Sequence, residues 1–202
     1  MTAIKMCGLT RAEDIAAVNN IVPAYIGFVF FAKSKRCLTP ARAAQLKEML
    51  SPHIQAVGVF VDEQPAAIAD LLNSRIIDLA QLHGHETEED IHLLRTMTDR
   101  PIIQAFQVKN AADVQRAAQS SADMILLDAG AGDGIPFDWT LLQQLQRPFI
   151  LAGGLNAQNV AAAIRQTHPF AVDVSSGIET NGRKDIDKMA AFAAAVRKED
   201  TP

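Results

Sequence analysis

Short aliphatic runs recur along the whole chain, at Ala3–Met6, Tyr25–Phe30, Ala56–Val61, Ile77–Leu82, Ile102–Phe106, Met124–Leu127, Phe149–Ala152 and Ala171–Val174. They are rich in Val, Ile, Leu and Phe without polar alternation, the pattern of parallel strands buried on both faces. Between them lie longer stretches with helical spacing. Ala41–Leu50 puts Ala44, Leu46, Met49 and Leu50 on one side and Arg42, Lys47 and Glu48 on the other, and Ala111–Gln119, Ala157–Gln166 and Asp187–Lys198 read the same way. Helix starts are signalled by Thr10 with Glu13 three residues on, by Thr39-Pro40, by Thr87 ahead of Glu88–Asp90, and by Asn156 after Gly153-Gly154.

Regular strand–helix alternation predicts βαβ units and a parallel sheet. Eight units in 202 residues average about 25 each, compact for a (β/α)8 TIM barrel, a fold that starts at ~200 residues. The rival is an open doubly wound sheet, which usually carries a Gly-rich loop after its first strand; here that strand runs into Cys7-Gly8-Leu9-Thr10 instead. The expectation is an α/β chain whose residues 1–202 form a single barrel domain, with the Gly-rich segment Asp128–Asp138 as a loop.

Composition narrows the function. Hydrophobic residues make up 49% and charged residues 21%, enough apolar material for one sizeable core and too much for a disordered chain. A net charge of −4 lacks the basic field of a general nucleic-acid binder. No apolar run is long enough to span a bilayer, and the N-terminus turns polar too early for a secretory leader. Two cysteines, Cys7 and Cys37, cannot build a disulfide framework. These features predict a cytoplasmic protein with free thiols that binds neither nucleic acid nor membrane. No His/Asp/Glu spacing suggests a metal site.

In an α/β barrel the reaction site lies at the C-terminal strand ends. Those ends carry Lys5-Met6-Cys7-Gly8, Lys33-Ser34-Lys35-Arg36, Gln81-Leu82-His83-Gly84, Leu127-Asp128, Ala152-Gly153-Gly154 and Asp173-Val174-Ser175-Ser176-Gly177. Residues i and i+2 share a strand face, so Lys5 lies one layer below Cys7, Gln81 below His83 and Asp173 below Ser175. Lys5 is costly to bury unless it meets a carboxylate or a substrate oxygen. Its charge is expected to lower the Cys7 thiol pKa and favour the thiolate. Strands 1 and 6 are not neighbours in an eight-stranded ring, so Cys7 and Asp128 can face each other across the mouth as base and acid. Gly153, Gly154, Ser175, Ser176 and Gly177 follow strands 7 and 8, the frequent phosphate site of barrels. Arg36 is a candidate clamp for a substrate carboxylate. Asp62, Glu63, His85 and Glu86 carry no comparable signal, and His53, His92 and His168 fall away from the mouth.

Lys5-Met6-Cys7-Gly8-Leu9-Thr10, Gly27-Phe28-Val29-Phe30, Ser34-Lys35-Arg36, Val57-Gly58-Val59-Phe60-Val61, Gln81-Leu82-His83-Gly84, Leu126-Leu127-Asp128, Leu151-Ala152-Gly153-Gly154-Leu155 and Val172-Asp173-Val174-Ser175-Ser176-Gly177-Ile178-Glu179 occur in this order. Together they resemble phosphoribosylanthranilate isomerases of tryptophan biosynthesis over nearly the whole chain. The resemblance implies a cofactor-free Amadori rearrangement of N-(5-phosphoribosyl)anthranilate to 1-(2-carboxyphenylamino)-1-deoxyribulose 5-phosphate, by a monomer or homodimer. It matches Cys7 to the general base, Asp128 to the general acid and Arg36 to the binder of the anthranilate carboxylate. Lys5, Gln81, His83 and Asp173 would also line the substrate site, and the glycines and serines after strands 7 and 8 would hold the phosphate.

Two positions depart from that pattern. Lys35 stands where proline is common, which should loosen or re-aim the loop carrying Arg36, and Ala129–Pro136 is shorter than usual and lacks a lysine often found there. A catalytically silent phosphate-binding barrel is disfavoured by the presence of both Cys7 and Asp128. A related isomerase acting on another phosphoribosyl substrate, such as an aminoimidazole carboxamide ribotide, would call for an aspartate in place of Cys7.

Overall fold

A computed structural model describes residues 1–128, 139–142 and 145–199. Eight parallel strands close into a barrel in sequence order: β1 (Ala3–Cys7), β2 (Tyr25–Val29), β3 (Gln55–Phe60), β4 (Leu79–Leu82), β5 (Ile102–Gln107), β6 (Met124–Asp128), β7 (Phe149–Ala152) and β8 (Ala171–Val174). The ring closes where β8 pairs with β1, with Lys5 opposite Asp173. The predicted barrel is therefore the observed architecture, and the strand bounds shift by a residue or two. At Ile77 the shift has a cause: Ile76 and Ile77 donate to Leu71 O and belong to a turn, so β4 begins at Leu79.

Helices α1 (Ala12–Ile21), α2 (Pro40–Glu48), α3 (Pro65–Asn73), α4 (Glu88–Arg95), α5 (Ala111–Gln119), α6 (Val160–Thr167) and α7 (Ile186–Glu199) are the described helices of the outer layer. Between β6 and β7 the described residues hold a 3-10 turn, Trp139–Leu142. The Gly-rich segment Ala129–Pro136 lies outside the described residues. A two-stranded ribbon, β9 (Glu179–Thr180) with β10 (Arg183–Lys184), follows β8 and was not anticipated.

The alternation of strand side chains builds two cores. Met6, Ile26, Phe28, Phe60, Leu82, Leu127, Leu151 and Val174 point outward against the helices. Val57, Leu79, Ile103, Leu126, Ile150 and Ala171 fill the barrel interior, with Ala3, Tyr25 and Met124 packed beside them.

Helix starts follow the predicted logic with two corrections. Thr39 Oγ1 accepts from Arg42 N ahead of Pro40, and Thr87 and Asp90 form a capping box. The box at Thr10 and Glu13 is displaced by one residue. Arg11 is the N-cap of α1, and Asp14 accepts from the backbone N–H groups of both Thr10 and Arg11. Asn156 does not cap α6 directly. Its side chain accepts from Gln158 N and Asn159 N, making a turn, and the helix begins only at Val160 with Asn159 as N-cap. The N–H groups of Gln158, Asn159 and Val160, just before and at the helix start, are thus already taken.

Candidate active site

Cys7 ends β1 with its thiol inside the barrel mouth and 7% exposure. Gly27 on neighbouring β2 makes room for it, since a Cβ there would lie 2.5 Å from Cys7 Sγ. One layer down, Lys5 is fully buried, and its Nζ donates to Asp173 Oδ1 at 2.9 Å. Burial alone would lower the Lys5 pKa, but Asp173 and Cys7 outweigh it, and the pKa is raised. The carboxylate required by a buried lysine is the one that closes the barrel.

The expectation for the thiol itself needs correction. Burial pushes the Cys7 thiol above its ordinary value; Lys5 and Lys184 pull it down, and Asp173 opposes them. Lys5 is shared with Asp173, so its charge does not outweigh the loss of water around the sulfur.

Asp128 ends β6, whose interior neighbour Leu126 is part of the apolar plug. His83, just past β4, brings Nε2 to 3.5 Å from Asp128 Oδ2. Below it, Gln81 is 1% exposed, and its Nε2 lies 2.8 Å from His83 Nδ1. The shared face predicted for Gln81 and His83 is thus a hydrogen-bonded pair leading to Asp128.

Arg36 reaches the mouth from the loop after β2, and its fork is already engaged. Nε and Nη2 donate to the two oxygens of Glu179 at 2.6 and 2.7 Å. The loop is therefore pinned rather than loosened beside Lys35, with Arg36 N also donating to Ser34 Oγ. Glu179 and Lys184 are charged residues beside Arg36 and Ser175 that sequence reasoning did not single out. Lys184 Nζ donates to Glu179 Oε1 at 2.7 Å and to Ser175 O at 2.8 Å. Burial pushes the Glu179 carboxyl up, but the hydrogen bonds from Arg36 and Lys184 win and lower it to about 2. Glu179 stood at the end of a quoted motif, whereas Lys184 carried no sequence signal, because its partners become neighbours only through the ribbon.

The loops after β7 and β8 sit side by side. Gly153 and Gly154 both have positive φ, 94° and 63°. A Cβ on Gly177 would lie 1.9 Å from Leu155 O, so only glycine lets the two loops touch. The Ser175 hydroxyl turns away to Cys7 O at 3.2 Å, which leaves Ser176 as the hydroxyl-bearing candidate of this loop. Cys37 is exposed and takes no part in the mouth.

The pattern of a buried cysteine, a strand-end aspartate and two abutting glycine loops agrees with the family model of N-(5'-phosphoribosyl)anthranilate (PRA) isomerase, which matches residues 4–195. The chain belongs to this family. An N-(5'-phosphoribosyl)anthranilate isomerase of Endomicrobium trichonymphae is 43% identical over 98% of this chain and 99% of its own length. One of Streptococcus mutans is 42% identical over 98% of this chain and 100% of its own. A solved phosphoribosyl anthranilate isomerase in complex with reduced 1-(o-carboxyphenylamino)-1-deoxyribulose 5-phosphate superposes with a TM-score of 0.88 at 37% identity, covering 98% of this chain and 100% of that one. The enzyme of Thermotoga maritima, described as dimeric in a second structure, gives 0.89 at 36% identity over 98% of this chain and 100% of its own. Family membership makes the chain an isomerase of tryptophan biosynthesis, an aldose–ketose isomerase on a TIM barrel.

Proposed function

We propose that Cys7 and Asp128 carry the isomerisation as general base and general acid, with Arg36 and the two glycine loops holding the ends of the substrate. The observation that carries the reading is the opposed placement of Cys7 on β1 and Asp128 on β6 at one barrel mouth. Protonated Asp128 donates to the furanose ring oxygen as the C1–O bond breaks. The anthranilate nitrogen lone pair forms the C1=N bond of a Schiff base. The Cys7 thiolate then removes the C2 proton, and the released electrons give the enolamine, which tautomerises to the ketose. Each step couples a proton transfer to a shift of electron pairs within the substrate, and the scheme calls on no cofactor.

Arg36 has two bidentate edges. Glu179 occupies the Nε–Nη2 edge, and the edge through Nη1 is left for the anthranilate carboxylate. The backbone at Gly153, Gly154, Ser176 and Gly177 offers N–H groups to the phosphate at a point where no side chain blocks approach. Lys5 and Asp173 act from beneath Cys7, and Gln81 and His83 from beneath and beside Asp128. All these residues come from one chain, so a monomer or either half of a homodimer carries a whole site. A reducing, cytoplasmic setting suits a base that must remain a free thiol.

The test is direct. Phosphoribosylanthranilate is generated in situ and its fluorescence followed after the protein is added, with Cys7→Ala and Asp128→Asn in parallel. Substrate loss with the parent chain and none with either variant supports the assignment. Parent-like turnover by Asp128→Asn sinks the acid half of it.

A further inference from the structure

Gln81 is 1% exposed beneath His83, and it is the start of a short polar chain that reaches Asp128. Its Nε2 faces His83 Nδ1 at 2.8 Å, and His83 Nε2 faces Asp128 Oδ2 at 3.5 Å. Gln81 Oε1 is the buried side-chain polar atom that has no hydrogen-bond partner among the described residues. The orientation of this amide decides more than packing. A carboxylate oxygen beside Nε2 calls for a proton on Nε2, and Nδ1 of a neutral ring is then a lone pair that only a donor can satisfy. The amide accordingly turns its NH2 to Nδ1 and leaves its oxygen without a partner, an arrangement that costs a buried acceptor its hydrogen bond.

We infer that Gln81 is a positioning residue that fixes the His83 tautomer and thereby aims the acidic proton of Asp128. With Nε2–H turned towards Oδ2 across 3.5 Å, the proton of the Asp128 carboxylic acid is kept off Oδ2 and sits on Oδ1, directed away from His83. With the opposite tautomer, Nε2 would be a lone pair, and Asp128 would hand its proton to His83 instead of to the substrate. The charged and titratable groups on the elements flanking β4 do not compete for Nδ1, since Gln81 already occupies it. Asp62, at the end of β3, turns to His85, and Gln104 on β5 is engaged by Glu86 O and Ser120 Oγ. The inference deepens the reading of Asp128 as the acid and rests on it.

The experiment reads the tautomer separately from the rate. Long-range 15N–1H correlation on the parent protein at neutral pH is expected to show His83 protonated at Nε2 and bare at Nδ1. A bare Nε2 in the parent overturns the inference without any substitution. Gln81→Glu replaces the donor facing Nδ1 by an acceptor and is expected to move the proton to Nδ1. The same change should lower kcat by at least about tenfold while KM stays within about twofold, because an interaction acting on the acid is lost only in the chemical step. His83→Gln keeps a donor towards Asp128 that has no tautomer to choose. In that background Gln81→Glu should have little further effect on kcat. An equal loss in both backgrounds would show that Gln81 acts through packing or charge and not through His83. Should Gln81→Glu misfold, Gln81→Met removes the donor without adding charge and is expected to give a mixed tautomer population; an unchanged Nε2–H population there overturns the inference too. These outcomes are distinct from failure of Asp128→Asn, which tests the acid itself.

Discussion

A thiol that serves as a base needs access to its thiolate, and at Cys7 burial works against this. The sulfur is surrounded by the barrel, Lys5 below it is shared with Asp173, and the net displacement of its pKa is upward. Cys7→Ala is expected to lower kcat by about 10²–10⁴ with the far-ultraviolet circular dichroism of the parent. Parent-like turnover would make Cys7 a small core residue and nothing more. A raised thiol also sets the sign of the acid limb: the rate climbs with pH through the thiol titration, and Cys7→Ala loses that limb. Arg36 acts at a different stage. In the proposed role its outer edge would hold a carboxylate that does not change during the reaction, so Arg36→Met should raise KM more than it lowers kcat. Steady-state assays across substrate concentration separate the two, and an unchanged KM removes Arg36 from the binding site.

At the scale of elements, the ribbon β9–β10 ties three parts of the site together. Glu179 grips Arg36 from the loop after β2, and Lys184 grips Glu179 and the backbone of Ser175 after β8. Glu179→Gln should raise KM by freeing the Arg36 side chain, and it should alter stability with a defined pH dependence. The folded carboxyl titrates at about 2 against an ordinary 4.5, so its contribution is fully present above 4.5 and is lost as pH falls from there towards 2. Urea unfolding at several pH values should therefore show the parent and Glu179→Gln differing most near neutrality and converging towards pH 2. A constant difference across that window would mean that Glu179 is not ionised against these partners. The loop pair after β7 and β8 gives the next expectation. Gly177→Ala drives a methyl into Leu155 O, so the loops must part, and inorganic phosphate should become a weaker competitive inhibitor. Unchanged inhibition would place the anion site elsewhere. Elements of this kind separate what a sequence states from what it conceals. Strand runs such as Phe149–Ala152 and helices such as Ala111–Gln119 are legible because their burial repeats locally. The late start of α6 was hidden because Asn156 satisfies a turn first, and the Arg36–Glu179 pair was hidden because its members are 143 residues apart in sequence.

The whole molecule is closed by the same atoms that furnish the site. β8 returns to β1 with Lys5 opposite Asp173, and the Ser175 hydroxyl bonds Cys7 O one step higher. The sequence reading anticipated that Lys5 needed a carboxylate, because an unpaired buried ammonium is too costly. It did not anticipate that the same partner would divert Lys5 from the thiol, because the balance between burial and charge depends on three-dimensional distances. Stability and chemistry can be separated here. Lys5→Met leaves a carboxylate buried at the seam, and Asp173→Leu leaves an ammonium there, so each is expected to cost about 3–5 kcal/mol in urea unfolding. The double variant removes both charges and fills the seam with apolar groups of similar length, which for such pairs is near neutral or stabilising. It should therefore regain most of the parent stability. It should not regain the parent rate, because Lys5 is the stronger of the two cations that pull the Cys7 thiol downward, and its loss outweighs the removal of the opposing Asp173 charge. A folded, stable and slow double variant would show that the pair was placed under Cys7 for the thiol as well as for the seam. A double variant as fast as the parent would reduce Lys5 and Asp173 to a means of closing the barrel, and one as unstable as the worse single variant would show that the seam depends on the charges themselves.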